Sequence, residues 1–191
     1  MHPKEAYKQK TGTGRLAALS LVGSEILIGI DFTHNERLND LISGKGEFAR
    51  YYPVILYPAK DAWYIDTPGF RETVGERQLL VIVVDATWFF ARKMMLLSSN
   101  LQALPKLSFS QDYRSQFTFK KQPAPECLST IESSYYLIRE LQSAGIANPA
   151  ADAEPLMTVF RNMVDYQLAS EQARHVAEAE LLYPELFDSQ G

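Results

Sequence analysis

Residues 79–88, Leu79-Leu80-Val81-Ile82-Val83-Val84-Asp85-Ala86-Thr87-Trp88, decide the fold class. Six apolar residues, four of them β-branched, follow one another without alternation. A strand with one face in water alternates. An unbroken run predicts a strand buried on both faces, as in a parallel sheet covered by helices. The run ends at a carboxylate, Asp85. The continuation Phe89-Phe90-Ala91-Arg92-Lys93-Met94 has helical character: Trp88, Ala91, Met95 and Leu96 fall near one face, with Arg92 and Lys93 beside them. Asp85 is therefore expected at the carboxyl end of a central strand, where a helix begins and where open α/β sheets bind ligands. The simpler role for such an aspartate is to cap the helix by accepting a backbone N–H, and the spacing is compatible with both.

Outward from this stretch the pattern is that of an α/β protein. Upstream, Pro53-Val54-Ile55-Leu56-Tyr57-Pro58 is a short apolar strand between two prolines, and Asp61 is a second carboxylate just beyond a strand end. Ile26-Leu27-Ile28-Gly29-Ile30 reads as a strand and Leu16–Leu21 as a short helix. Residues 34–51 read as a polar helix and loop broken by Gly44 and Gly46, and residues 63–78 as irregular. Residues 1–15 lack a hydrophobic period and read as a flexible basic loop. Gly12 and Gly14 would let its backbone approach a ligand closely, and Arg15 would reach a phosphate or carboxylate; an ordinary disordered terminus fits the same residues.

Downstream, the helix begun at Trp88 is expected to run to about Asn100. Leu107-Ser108-Phe109 and the alternating Phe117-Thr118-Phe119-Lys120 are strand candidates, the second broken by Pro123-Ala124-Pro125. Ser129 and Glu132 have the spacing of a capping box, each side chain bonding the other residue's backbone N–H. They predict a helix over Thr130 to about Ser143 with Gly145 as its stop. A loop before a helix N-terminus also offers unpaired N–H donors to anionic or polar ligand groups. From about Asp152 to Leu182 the chain reads as a long amphipathic helix, with Leu156, Val159, Phe160, Met163, Val164 and Tyr166 on its apolar side.

The 191 residues, 46% hydrophobic and 22% charged, predict one globular domain over 1–191. The single cysteine, Cys127, excludes an internal disulfide and a multi-cysteine zinc site. The histidines, His2, His34 and His175, are scattered, and no phosphate-binding loop or paired-histidine metal motif occurs. No apolar stretch is long enough to span a membrane, and the start lacks a signal-peptide core, so a cytoplasmic location is expected. The net charge of −4 hides an uneven distribution. Lys4, Lys8, Lys10 and Arg15 face only Glu5 in residues 1–15, and Arg92, Lys93, Lys106, Arg114, Lys120 and Lys121 face only Asp112 in residues 86–121. A local basic patch is enough to steer a polyanion, whereas the same cations pointing different ways would only solvate the surface.

Asp85-Ala86-Thr87-Trp88 with Ala91-Arg92-Lys93-Met94 resembles the signature of the DTW-domain family. His2-Pro3-Lys4-Glu5, Thr11-Gly12-Thr13-Gly14-Arg15-Leu16-Ala17, Gln122-Pro123 and Leu128-Ser129-Thr130-Ile131-Glu132 match further family motifs in chain order. The resemblance implies a SPOUT-like fold: a mostly parallel sheet with helices on both faces and a C-terminal trefoil knot. It implies S-adenosylmethionine as cofactor, tRNA as partner, and transfer of a 3-amino-3-carboxypropyl group to a uridine. SPOUT-like proteins often form homodimers.

Under that resemblance Asp85, Thr87 and Trp88 are the catalytic candidates. Asp85 would be the base or orient the uracil, and Trp88 would stack on a base or brace the site, although a core anchor at a helix start fits Trp88 equally. Because a solvated aspartate is a poor base, the first role requires Asp85 to be partly buried. Leu56, Tyr57, Pro58, Leu128, Ser129, Thr130 and Glu132 are the cofactor-binding candidates, and Lys4, Arg15, Arg92, Lys93 and Lys120 the RNA-binding ones. Two positions depart from the family pattern: Lys120 stands where arginine is common and Phe117 where tyrosine is common. Family members also commonly carry a cysteine-rich segment and an apolar strand ahead of His-Pro-x-Glu. The sequence here begins Met1-His2-Pro3, so exposed apolar surface is expected at the sheet centre. A methyltransferase on the same scaffold and a non-catalytic RNA-binding protein are the alternative readings.

Overall fold

A computed structural model describes residues 1–8, 12–117 and 127–182. The elements, in chain order, begin with α1 (Pro3–Lys8), α2 (Thr13–Ser20), α3 (Glu36–Ile42) and a 3-10 turn (Gly46–Arg50). Then come β1 (Tyr51–Leu56), α4 (Phe70–Val74), β2 (Gln78–Val83), α5 (Trp88–Leu97), α6 (Ser99–Gln102) and β3 (Lys106–Leu107). The last two are α7 (Thr130–Ser143) and α8 (Glu154–Leu182).

The three strands form a parallel sheet in the order β2-β1-β3. Parallel neighbours need crossovers, and these put helices on both faces. Successive side chains of β1 point to opposite faces. Ile55 meets Phe32, Leu38, Met94, Met95, Leu101 and Leu104 on the side of α3, α5 and α6. Val54 meets Phe70, Val74, Leu137 and Leu141 on the side of α4 and α7. A third apolar cluster joins α2, α7 and α8 through Ala17, Ile131, Leu156, Met157 and Phe160. Each fully buried side chain of this kind contributes roughly 1.5–3 kcal/mol.

Residues 79–83 do lie in a strand, β2, which stops one residue short of the expected end, but it is not the central one. That place belongs to β1, whose Val54 and Ile55 are fully buried, whereas Leu79–Val83 of β2 are only half-buried. Pro53 is tolerated in this central strand because β3 reaches only Ile55 and Leu56. The N–H that proline lacks would point past the end of β3. Among the described residues nothing pairs with the outer edge of β2.

Residues 26–30, expected as a strand, belong to none, although their burial alternates: Ile26, Ile28 and Ile30 are exposed, Leu27 and Gly29 half-buried. One rung bridges the space between them and β2. The Met1 ammonium donates to the Leu27 carbonyl at 2.8 Å, Gly29 N–H donates to the Met1 carbonyl at 3.2 Å, and His2 N–H donates to the Asp85 carbonyl at 2.9 Å. The donors of residues 1 and 2 thus point to opposite sides, as in a strand.

Other expectations differ in detail. Residues 3–8, read as part of a basic loop, form α1, and residues 70–74, read as irregular, form α4. The helix from Trp88 breaks at Ser98 into α5 and α6. The strand near Leu107 is two residues long and extended by a bridge to Trp63. Phe117 is in no strand, and Lys120 and Gln122-Pro123 lie outside the described residues. α7 carries the expected capping box and stops at Gly145, whose φ of 66° favours a residue without a side chain.

Candidate active site

Parallel strands bring the segments after their carboxyl ends to one side of the sheet. Leu56-Tyr57-Pro58 after β1, Val83–Trp88 after β2 and Leu107–Phe109 after β3 meet the start of α7 there. Together they line a cavity of about 870 Å³. Of the residues named from sequence, Asp85, Thr87, Trp88, Leu56, Tyr57, Pro58, Leu128, Ser129, Thr130 and Arg92 all line it. Four chain segments, from Leu56 to Thr130, therefore converge on one space.

Asp85 is half-buried at its centre. It does not cap α5: Thr87 is the N-cap of that helix and makes no side-chain cap bond. Instead the Thr130 hydroxyl, in the first turn of α7, donates to Asp85 Oδ1 at 2.6 Å. Oδ2 accepts no hydrogen bond from the described side chains. On the other side Asp85 lies against Gly14, in the first turn of α2. A Cβ built on Gly14 would come within 2.3 Å of Asp85 Cγ. Gly14 is expected from sequence to be a place where the backbone comes close to a ligand; what comes close to it in the fold is this carboxylate of the same chain.

Glu132 lies behind the cavity wall and is fully buried. Its carboxylate accepts from Ser115 Oγ at 2.9 Å, Gln116 N–H at 2.6 Å, Ser129 N–H at 2.9 Å and Ser129 Oγ at 2.6 Å. Four donors satisfy the buried charge. They also tie residues 115–117 to the start of α7, which sets the register that puts Thr130 opposite Asp85.

The walls are aromatic. Trp88 and Tyr57 are tilted at 54° with centroids 6.2 Å apart. Phe109 packs edge-on to Tyr113, which stacks on Tyr136 at 4.0 Å. Burial pushes the Tyr113 phenol up to about 12, with the neighbouring Glu140 adding to the effect, so it remains a hydrogen-bond donor. Burial also raises the Tyr57 pKa, against the pull of Arg92. Phe109, Gln111, Asp112, Tyr113, Cys127, Ser133, Glu5 and Thr13 also line the cavity, though none was named as a site residue from sequence. A segment such as Phe109–Tyr113, with no period and no motif, gives no sign of its position.

The basic candidates divide. Arg92, Lys93 and Lys4 are exposed and have no carboxylate within ion-pair distance among the described residues. Lys4 Nζ lies 5.3 Å from the centre of the Phe90 ring, so the basic start of the chain lies beside α5, whose Arg92 lines the cavity; Lys4 and Lys93 themselves stand outside its lining. Arg15, by contrast, donates through Nη2 to the Ala6 carbonyl at 2.9 Å and holds α1 against α2. Among the described residues no group of three or more metal-ligating side chains occurs, and no helix is long and apolar enough to cross a membrane.

No curated protein matches the chain, and no solved structure does. A family model described as the DTW domain matches residues 1–168. That span takes in all three strands, the cavity and every contact of Asp85 described above. With most of its length inside that match, and with Asp85-Ala86-Thr87-Trp88 at the heart of the cavity, the chain belongs to the DTW-domain family.

Proposed function

We propose that the protein is a tRNA-modifying transferase that moves the 3-amino-3-carboxypropyl group of S-adenosylmethionine to N3 of a uridine. The family is consistent with a tRNA-modifying role. The observation that carries the finer reading is Asp85 Oδ2, which has no donor among the described residues, in a cavity that also holds aromatic faces and a helix N-terminus.

The donor set suits the cofactor. The first turn of α7 offers backbone N–H groups and a positive dipole end to a carboxylate. The Ser133 hydroxyl lies beside them, and Leu56-Tyr57-Pro58 offers an apolar edge for a purine. About 870 Å³ lies within the range of small-molecule sites, toward its upper end, which leaves space for a nucleobase as well. When bound, adenosylmethionine supplies a carbon activated by a cationic sulfur, so that a C–N3 bond forms as the C–S bond breaks and methylthioadenosine leaves.

The chain's own residues supply position and proton transfer. An imide N–H is mostly protonated at neutral pH, and Asp85 Oδ2 accepts first its hydrogen bond and then its proton. Trp88 gives the uracil a face to stack on, worth roughly 1–3 kcal/mol. Arg92, Lys93 and Lys4 hold the phosphates of the flanking RNA. A SPOUT-like topology, a cytoplasmic substrate and a homodimer belong to the same reading.

The test uses total tRNA lacking the modification and two labelled cofactors, one carrying label in the methyl group and one in the aminobutyrate carbons. Transfer of the carbon chain with release of methylthioadenosine is expected. Methyl transfer alone would make the protein a methyltransferase, and transfer of neither label would refute catalysis of this kind.

A further inference from the structure

We infer that Gly14 and Thr130 are positioning residues that clamp the Asp85 carboxylate from two sides and leave Oδ2 without a donor among the described residues, so that the site selects a substrate edge presenting an N–H donor. The role in catalysis rests on the transferase reading; the clamp itself rests on geometry alone.

One jaw is steric. Gly14 is buried, and a Cβ there would lie 2.3 Å from Asp85 Cγ, 2.4 Å from Oδ2 and 2.5 Å from Oδ1. No real Cβ sits so close, so any side chain at position 14 must move the carboxylate or the helix. The helix cannot readily withdraw, because Ala17 and Leu16 of α2 pack against the cluster of Ile131, Leu156 and Phe160 from α7 and α8. The aspartate is short, and its backbone is held by the hydrogen bond from His2 N–H to its carbonyl. What gives way is the carboxylate's orientation.

The other jaw is the hydrogen bond from Thr130 to Oδ1. Thr130 has little freedom: the capping box of Ser129 and Glu132 fixes the residues on either side of it. Both jaws therefore sit in helices that are packed on each other, and the carboxylate lies between their N-terminal turns.

The consequence is selectivity. A carboxylate only accepts hydrogen bonds. With Oδ1 engaged, Oδ2 pairs with a base edge that donates at its ring nitrogen, as the imide N3–H of uracil does. A cytosine edge presents a lone pair at the same place and is repelled.

Crystal structures of wild type, Gly14→Ala, Thr130→Val and Thr130→Ser show the orientation of Asp85. Transfer kinetics on tRNA and calorimetric titration with adenosylmethionine accompany them. The carboxylate is expected to turn in Gly14→Ala and Thr130→Val, with kcat down about 100-fold, the loss a misplacement of about 1 Å produces. Cofactor affinity should stay within threefold, and Thr130→Ser should restore both orientation and rate. A carboxylate that keeps its place in both damaging variants overturns the clamp. So does a cofactor affinity that falls as far as kcat, because Thr130 would then be a cofactor ligand. If the wild type transfers nothing, the proposed reaction fails, and the four crystal structures still decide the clamp by the same criterion.

Discussion

The imidazole of His2 lies almost flat on the ring of Phe90, with centroids 4.2 Å apart and planes 19° from parallel. The start of the chain is thereby fastened to α5, within a few residues of Asp85. Lys4 N–H donates to His2 Nδ1 at 3.1 Å, which requires that nitrogen to be unprotonated. Burial lowers the His2 pKa, with Glu5 opposing and Lys4 and Lys93 adding to the shift.

A histidine whose pKa is lower in the folded chain than in the unfolded one binds fewer protons when folded. Its contribution is complete above the unfolded value, about 6.5, and is lost as pH falls through the lower folded value. Urea unfolding of the wild type between pH 7.5 and 5 should therefore show stability declining below about 6.5. His2→Gln should flatten that part of the profile; an unchanged slope would show that another group titrates there.

Glu132 organises four donors from three residues in two chain segments. Glu132→Ala leaves them without an acceptor in a buried place, which should cost about 3 kcal/mol or more. The denaturant midpoint should fall accordingly. Glu132→Gln should cost less, because the side-chain oxygen keeps part of the set. A midpoint in Glu132→Ala equal to that of wild type would contradict the network.

Glu140 is a different case. Both carboxylate oxygens are buried, and among the described residues neither accepts a well-formed hydrogen bond. Burial raises its pKa, while the Tyr113 hydroxyl and the backbone of Ser110 and Gln111 approach closely enough to offset part of the shift. A carboxyl raised in the fold contributes its stability below the unfolded value and loses it as pH rises through the folded one. Glu140→Gln should thus be more stable than wild type at pH 7, by about 1 kcal/mol or less. The gap should close below pH 4, as calorimetric melting would show.

If the rim of Arg92, Lys93 and Lys4 carries RNA phosphates, its energy is that of counterion release. Each phosphate contact adds about 0.7 to 0.9 to the slope of log affinity against log salt. Arg92→Ala with Lys93→Ala should lower that slope by roughly 1.5 and weaken all RNA sequences alike. A loss of affinity with the slope unchanged would assign these residues to packing or base contact instead.

The sequence was a better guide to which residues share the cavity than to the order of the sheet. Asp85 was legible because a strand end followed by a helix start is where parallel sheets leave room for ligands. Ser129 and Glu132 were legible because a capping box is a local motif. The identity of the middle strand was not, since an apolar run reports what a segment can bury and not which neighbour supplies the cover. β1, with a proline inside it, takes the centre because β2 and β3 pair with its two edges. Residues 26–30 have strand alternation without a ladder, and a ladder is a property of two segments. Gly14 and Thr130 were marked by motif, but their meeting at Asp85 depends on packing among α2, α7 and α8 that no local pattern encodes.

The last helix divides the molecule thermodynamically. α8 runs from Glu154 to Leu182, about 43 Å at the usual rise, but its buried side chains end at Val164. Among the described residues no side chain in the turns beyond is buried, and a helix of that length alone in water is marginal. They melt as a helix–coil equilibrium, ahead of the domain and independently of it. Heating should accordingly produce two signals out of step: helical ellipticity that declines gradually from low temperature, and a later cooperative change in the fluorescence of Trp63 and Trp88. A single melting temperature would then describe the sheet and its cavity, and not the whole chain.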